Sequence, residues 1–287
     1  MQIFEEIITS GQNKYVSEAR MLDDKKRRDS TRLFRFDGVK LLCEAISRGV
    51  ELEYILVADE KYESVFEKTE QTYNIHREDI PCRVIPVKQS VFEKISSEKA
   101  PEGVICVAKY IDKFHKFVKI NNEGNFSDEM PVSQDERVLL LESVRDPQNI
   151  GAIIRSAAAM GADRIIMSAD CADIYNSKTV RASMGTLFGM KIDRVDSISG
   201  AVRQLRASGR RVFAAALDHK AQKLGQARVC SVDCILIGNE GHGLTDEAIS
   251  ACDSTLYIPM QSGVESLNAA VAASVLLWEF FGRDGQN

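Results

Sequence analysis

Apolar residues in the second half of the chain alternate between two spacings, one typical of buried strands and one typical of helices. The run 137–143 predicts a strand, 148–160 a helix, and 164–168 a second strand. Strands that alternate with helices predict an α/β fold whose parallel sheet is covered on both faces. The pattern continues with predicted strands at 210–217, 234–240 and 254–260, and with predicted helices at 177–189, 198–208, 245–251 and 266–281.

The first 110 residues show the same spacings on a smaller scale. Val39, Leu42 and Ala45 predict a helix that ends near Gly49, and the next apolar run is a predicted strand. A helix at 62–71, a strand at 82–87, a helix at 88–96 and a strand at 103–110 complete a small predicted αβα sandwich.

Between residues 111 and 136 the periodicity is lost, and Asn, Gly, Ser, Asp and Pro accumulate as they do in linkers. We therefore predict a domain at 1–110, a linker at 111–136 and a second domain at 137–287.

Composition narrows the classes of protein. No apolar run of about 18 residues occurs, and the start lacks the apolar region of a signal peptide, so we expect a cytoplasmic protein without a membrane partner. The net charge of -5 argues against a uniformly basic nucleic-acid binder but permits a local basic patch. Seven scattered cysteines, without a C-x-x-C pair, predict reduced and mostly buried thiols and no metal site.

Ligands of open α/β sheets bind beyond the carboxyl ends of the strands, and the first of three motifs begins there. Asn149 is placed to cap the helix that follows, and Gly151 and Arg155 share another face of it, four residues apart. A ligand would find room beside the Arg155 guanidinium. A plain cap with a solvated surface charge is the alternative.

The second motif reads ILIGNEGHGL, with glycines at 238, 241 and 243. Three glycines in six residues predict a tight backbone turn that approaches a ligand closely, and Glu240 is the carboxylate of this turn. An ordinary turn from strand to helix would account for one glycine but not for all three.

The third motif follows the predicted strand 254–260. Pro259 removes a backbone donor, and Ser266 is placed to cap the last helix. Leu267 and Asn268 then lie in its first turn. A capped core helix is the alternative, but it leaves the preceding loop unexplained.

Together these stretches resemble the SpoU (TrmH-like) family of RNA 2'-O-ribose methyltransferases in the SPOUT superfamily. The resemblance implies a SPOUT-type parallel sheet with a deep C-terminal trefoil knot, which apolar spacing alone does not indicate because knots are nearly absent from proteins. It also implies S-adenosyl-L-methionine as cofactor, and a homodimer whose active site lies near the interface. The matching residues are Asn149, Gly151 and Arg155, then Gly238, Glu240 and Gly243, then 258–260 and 265–268, with 180–188 as a further shared stretch.

Site residues are carried over from the family by position. A guanidinium with a pKa above about 12 accepts protons poorly, so we expect Arg155 to grip the phosphate and the 2'-oxygen and to lower the pKa of the hydroxyl. The implied catalytic residues are Asn149, Arg155, Glu240, Ser266 and Asn268. The implied cofactor contacts are Leu217, Gly238, Asn239, Gly243, Ile258, Met260 and Leu267.

Residues 1–110 resemble the ribosomal-protein-like RNA-binding domain that precedes the knot in many rRNA-modifying members. A basic run predicts a phosphate-binding stripe here, with Phe34 and Phe36 as stacking or packing groups, although a solvated helix face is the alternative. The stripe consists of Lys25, Lys26, Arg27, Arg28, Arg32 and Arg35.

The N-terminal resemblance favours ribosomal RNA, foremost 23S rRNA, as the substrate. Two alternatives remain for the function: a tRNA 2'-O-methyltransferase and a non-catalytic RNA-binding factor of ribosome assembly. A nucleotide-dependent oxidoreductase would need the glycine-rich fingerprint that this sequence lacks.

Overall fold

The computed structural model describes residues 6–120, 132–218, 220–239, 241–261, 263 and 266–282. It divides into two compact units. The first comprises Met1–Ile111 and Asp173–Gly189, and the second comprises Asp112–Ala172 and Met190–Asn287. The segment 173–189 therefore belongs to the first unit, although it lies within the predicted second domain.

A four-stranded mixed sheet forms the centre of the first unit. Its strands are β1 (Leu33–Asp37), β2 (Leu52–Ala58), β3 (Arg83–Val87) and β4 (Val104–Lys109). They lie in the order β1-β4-β2-β3; β2 and β3 are parallel, and β4 is antiparallel to both of its neighbours. The helices are α1 (Lys14–Met21), α2 (Lys25–Thr31), α3 (Val39–Ser47), α4 (Tyr62–Tyr73), α5 (Gln89–Phe92) and α7 (Ser177–Ser183).

Burial in this unit follows the apolar spacing. Val39, Leu42 and Ala45 of α3 are buried, because their spacing of three places them on one face of the helix. The segment 173–189 adds aromatic rings to the core, and the ring of Tyr175 lies 4.7 Å from that of Phe34. The predicted helix at 177–189 ends at Ser183, since the next two residues adopt φ angles of 52° and 91°.

Eight parallel strands form the sheet of the second unit. They are β5 (His115–Val118), β6 (Val138–Leu141), β7 (Arg164–Ser168), β8 (Lys191–Val195), β9 (Val212–Ala215), β10 (Gln222–Lys223), β11 (Cys234–Ile237) and β12 (Ser254–Tyr257). Their order is β10-β12-β9-β11-β6-β7-β8-β5. The helices are α6 (Pro147–Ala159), α8 (Ile198–Ala207), α9 (Asp246–Ala251) and α10 (Ala269–Leu277), and a π-helical turn at Trp278–Gly282 follows α10. The predicted parallel α/β sheet is confirmed.

Strands β5, β8 and β10 were not predicted from the sequence. β8 contains Asp193 and Arg194, which interrupt its apolar pattern. Asp193 is nevertheless buried, because Arg164 of the neighbouring strand donates a hydrogen bond to it at 2.5 Å. β5 lies within the predicted linker and is buried only at its two ends, and β10 has two exposed residues.

The implied trefoil knot stays a prediction. Within the described ranges, no helix combines the length and the apolar character needed to cross a membrane.

Candidate functional site

A cavity of about 360 Å³ opens beyond the carboxyl ends of β9, β11 and β12. Parallel strands bring these ends to one edge of the sheet, where ligands of such folds bind. Every residue that the family resemblance assigned to the cofactor lines this cavity: Leu217, Gly238, Asn239, Gly243, Ile258, Met260 and Leu267. Ser266 lines it as well.

Several lining residues were missed by sequence reasoning. Ala215 and Ile237 end β9 and β11, and Leu256 is the penultimate residue of β12. They give the cavity apolar walls, to which Leu276 of α10 adds. Their positions within the three predicted strands that lead to the motifs could have indicated them. His242 also lines the cavity, from the loop of the second motif.

One wall of the cavity is formed by Gly238, Asn239, His242 and Gly243. We call the loop 238–243 the cofactor loop, after the role that the family resemblance implies for it. Asn239 and Gly243 exchange two backbone hydrogen bonds, at 3.1 and 2.9 Å, which close the loop into a tight turn. A Cβ atom at Gly238 would lie only 2.6 Å from the backbone of Gly243, so the backbones approach too closely for a side chain. Gly243 has a φ of 68°, which glycine adopts at little cost.

The side chain of Asn239 organises this loop from within. Its Oδ1 accepts hydrogen bonds from the backbone N–H groups of Gly241 at 2.7 Å and of His242 at 3.2 Å. Its Nδ2 donates to the carbonyl oxygen of Ser143, after β6, at 2.8 Å. The sequence motif therefore needs an amide at this position, because the side chain donates and accepts at once.

Helix α6 is capped differently from our prediction. Asp146 is its N-cap and accepts hydrogen bonds from the backbone N–H groups of Gln148 and Asn149, with Pro147 as the first helical residue. The side chain of Asn149 is therefore not the cap. Its Oδ1 accepts a hydrogen bond from Nδ2 of Asn268 at 2.9 Å.

Helix α10 is capped by Asn268 rather than by Ser266. The side chain of Asn268 accepts hydrogen bonds from the N–H groups of Ala270 and Val271, as an N-cap does. Ser266 is instead exposed at the cavity. The prediction that Ser266 caps α10 is therefore wrong. Serine and asparagine are both preferred at N-caps, so residue type alone does not distinguish the two positions.

Arg155 lies on α6 with an exposed side chain, and it is not among the described residues that line the cavity. Asn149 and Asn268 are therefore in contact through a hydrogen bond, whereas Arg155 does not contribute to the cavity wall. Glu240 and Glu265 lie outside the described residues.

The six basic residues of the predicted phosphate-binding stripe differ in burial: two are buried and four are exposed. Arg28 is buried and forms an ion pair with Asp173 at 2.7 Å, and Arg35 is buried with an ion pair to Asp23 at 2.8 Å. Neither guanidinium belongs to an exposed stripe, because each satisfies its donors within the first unit. Lys25, Lys26 and Arg27 are exposed on α2, and Arg32 is exposed with its guanidinium 4.5 Å from the ring centre of Tyr110.

Phe34 and Phe36 are packing groups, since both rings are buried.

The cysteines are unpaired, and burial raises the pKa values of Cys43 and Cys82 to about 12, which disfavours the nucleophilic thiolate. Within the described residues, no cluster of metal-ligating side chains occurs.

Two family models match the chain. The model described as the SpoU rRNA Methylase family matches residues 136–278, and the model described as an MRM3-like substrate binding domain matches residues 13–106. The first match contains most of the second unit and all of the residues that line the cavity.

Relatives match over nearly the whole chain. The 23S rRNA (guanosine(2553)-2'-O)-methyltransferase RlmP of Bacillus subtilis is 28% identical over 278 residues, which cover 96% of this chain and 99% of the relative. The 23S rRNA (uridine(2479)-2'-O)-methyltransferase of Streptomyces viridochromogenes is 29% identical, with 95% of this chain and 90% of the relative covered. The crystal structure of an AdoMet-bound rRNA methyltransferase from Sinorhizobium meliloti is 28% identical and covers 100% of both chains, with a TM-score of 0.79.

Proposed function

The chain belongs to the SpoU rRNA methylase family, and on that premise we propose that it methylates a ribose 2'-hydroxyl of RNA with S-adenosyl-L-methionine. The substrate that we propose is ribosomal RNA, foremost 23S rRNA, on which relatives of similar length act. The observation that carries this proposal is the convergence of seven cofactor residues, assigned from sequence, on one cavity.

The cavity fits the cofactor. Its volume of about 360 Å³ falls within the usual range for small-molecule sites, about 300 to 1,000 Å³. Apolar walls from Ala215, Ile237 and Leu256 suit a purine ring, and the backbone of the cofactor loop offers polar groups. The close approach at Gly238 leaves that loop no room for side chains at its base.

The chemistry requires alignment of a hydroxyl with a methyl group and removal of a weakly acidic proton. S-adenosylmethionine, when bound, supplies a methyl group carried on positively charged sulfur. Arg155 would bind the substrate phosphate and lower the pKa of the 2'-hydroxyl by its charge. Asn149 and Asn268, which hydrogen-bond each other, would orient the ribose together with Ser266 and Glu240.

The domain at 1–110 would recognise the RNA and the domain at 137–287 would methylate it, with 111–136 as the linker. The match of residues 13–106 to a substrate-binding family model supports the first assignment. Lys25, Lys26 and Arg27 are exposed on one short helix and would bind phosphates. Arg32 would join them, whereas Arg28 and Arg35 would stabilise the fold of the first unit, to which Asp173 belongs.

The active form that we propose is a homodimer. Val271, Val275 and Trp278 lie at helical spacing along α10 and the turn after it, and their side chains are 51%, 39% and 43% exposed in the single chain. Such an apolar stripe beside the cavity favours burial against a second copy. Helix α6, which carries Arg155, packs against α10, so a partner bound to this stripe would lie close to α6.

Mapping of 2'-O-methylation tests the function. Purified protein with S-adenosylmethionine should methylate 23S rRNA from cells that lack the gene, at a nucleotide that is already modified in wild-type rRNA. Methylation of tRNA instead would favour the tRNA enzyme. Absence of cofactor binding in calorimetry would favour the non-catalytic assembly factor.

A further inference from the structure

Ser143 has a strained backbone beside the cavity. Its φ is 55°, a left-handed value that a serine rarely adopts. Residues held in this region persist only where their surroundings impose the conformation, and they cluster at functional sites.

Every polar group of Ser143 has a partner. Its N–H donates to Oγ of Ser168 at 2.9 Å, and its own Oγ donates to Oδ2 of Asp170 at 2.7 Å. Its carbonyl oxygen accepts from Nδ2 of Asn239 at 2.8 Å. The first two hydrogen bonds fix the orientation of Ser143. The third hydrogen bond connects Ser143 to the cofactor loop, so the position of Asn239 depends on that orientation.

Asp170 joins the two bonds that fix Ser143. Its Oδ1 accepts from Oγ of Ser168 at 2.6 Å, so one carboxylate holds both the residue and the hydroxyl that accepts its N–H. Arg145 adds an ion pair at 3.2 Å. Burial raises the pKa of Asp170, but hydrogen bonds from Ser168, Ser143 and Arg145 outweigh it and lower the pKa below the ordinary value. The carboxylate is therefore charged and able to accept at neutral pH.

Asn239 extends this chain of contacts into the loop. One end of its amide is bound to Ser143, and the other end holds the N–H groups of Gly241 and His242. A change in the direction of the Ser143 carbonyl would turn the amide away and release both N–H groups. Glu142 fixes the exit of the loop separately, because it accepts from the N–H of Thr245 at 2.8 Å and from its hydroxyl at 2.9 Å.

We propose that Asp170 is a positioning residue, which holds the cofactor loop in its ligand-binding shape through Ser143 and Asn239. Among the described residues that line the cavity, Asp170 is absent, so its action is indirect. The inference rests on the proposed function, since it supposes that the loop binds S-adenosylmethionine.

A pair of substitutions separates this role from general support of the fold. Asp170→Ala in the full-length protein should weaken binding of S-adenosylmethionine about tenfold, measured by calorimetry. Ser143→Ala should weaken binding about as much as Asp170→Ala does, because it removes the hydroxyl that Asp170 holds and keeps the Cβ atom that strains the backbone. In the Ser143→Ala background, Asp170→Ala should then weaken binding less than about threefold.

The matched control is Asp163→Asn, at the other end of β7, where the carboxylate accepts from the N–H of Arg137 at 2.9 Å. It should leave the affinity unchanged. Equal loss of affinity in both backgrounds, or wild-type affinity of Asp170→Ala, would overturn the inference. The wild type serves as the test of the proposed function: if it binds no S-adenosylmethionine, the proposed function fails, and the inference fails with it. A loss of affinity that is confined to the variants leaves the proposed function intact.

Discussion

Nδ2 of Asn268 donates a hydrogen bond to Oδ1 of Asn149 at 2.9 Å, and this contact ties the first turn of α6 to the N-cap of α10. The two residues are 119 positions apart in the chain. Their contact joins the first motif to the third at the point where the last helix leaves the cavity.

Asn149→Ala should keep the affinity for S-adenosylmethionine and lower methyl transfer about a hundredfold. Asn268 would still cap α10, but its amide would lose the partner that orients it toward the ribose. Single-turnover methylation at saturating cofactor measures the effect. Asn13→Ala, which removes the N-cap of α1 in the first unit, is the control and should leave turnover unchanged. Equal rates for wild type and Asn149→Ala would contradict the assigned role.

Gly238→Ala should reduce the affinity for S-adenosylmethionine more than about tenfold, because the new methyl group overlaps the backbone of Gly243 and displaces the loop. Gly241→Ala is the matched control in the same loop, since its nearest contact would be 3.4 Å away. Calorimetry of both variants makes the comparison. Similar affinities would show that the close approach at Gly238 does not shape the site.

Arg155→Lys should bind S-adenosylmethionine normally and lose methyl transfer by about a hundredfold. The ammonium group keeps the charge but cannot form the planar, bidentate contact of a guanidinium with a phosphate. Measurement of kcat and of the dissociation constant for S-adenosylmethionine, in the variant and in the wild type, separates the loss of methyl transfer from any loss of cofactor binding. Arg203→Lys, at an exposed ion pair with Glu247, is expected to have no effect. Near-normal kcat in Arg155→Lys would rule out the assigned role.

Val271→Asp should convert the proposed dimer to monomers, because a dimer interface would bury a charge without a partner. Sedimentation velocity measures the mass in solution. Phe117→Asp replaces another exposed apolar residue, on β5, and should leave the mass unchanged. A monomeric wild type would refute the dimer directly.

Glu136→Gln should lower the free energy of unfolding at pH 7 by about 3 kcal/mol, since it breaks a buried ion pair with Arg164. Burial raises the pKa of Glu136, but hydrogen bonds from Arg164 and Lys191 outweigh it and hold the pKa below its ordinary value of 4.5. The stabilisation by Glu136 is therefore present above that value and is lost as the pH falls through the lowered pKa.

Urea unfolding of wild type and variant from pH 7 down to pH 3 would show the difference narrowing on the acid side. Glu51→Gln, at an exposed pair with Lys109, should cost less than about 1 kcal/mol. A constant difference across this range would contradict the assignment to Glu136.

The sequence by itself determined the parallel α/β sheet, because buried strands and covering helices impose distinct apolar spacings. It also indicated a ligand site at the carboxyl ends of the strands, which lie at one edge of a parallel sheet, and the resemblance to the SpoU family assigned the cofactor to the ends of β9, β11 and β12. Apolar spacing gave no signal for β8, where the buried Asp193 forms an ion pair with Arg164 of the neighbouring strand. An ion pair between strands is a property of the folded chain.

Only the tertiary structure decided which polar residues form ion pairs and hydrogen bonds with one another. Sequence could not separate Arg28 and Arg35, which are buried in ion pairs, from the exposed Lys25 and Lys26, because all are basic residues of one run. Nor could it connect Asp170 with the cofactor loop, since that path depends on the left-handed backbone of Ser143. Local spacing specifies the elements, whereas side chains far apart in sequence meet only after the sheet has aligned the ends of its strands.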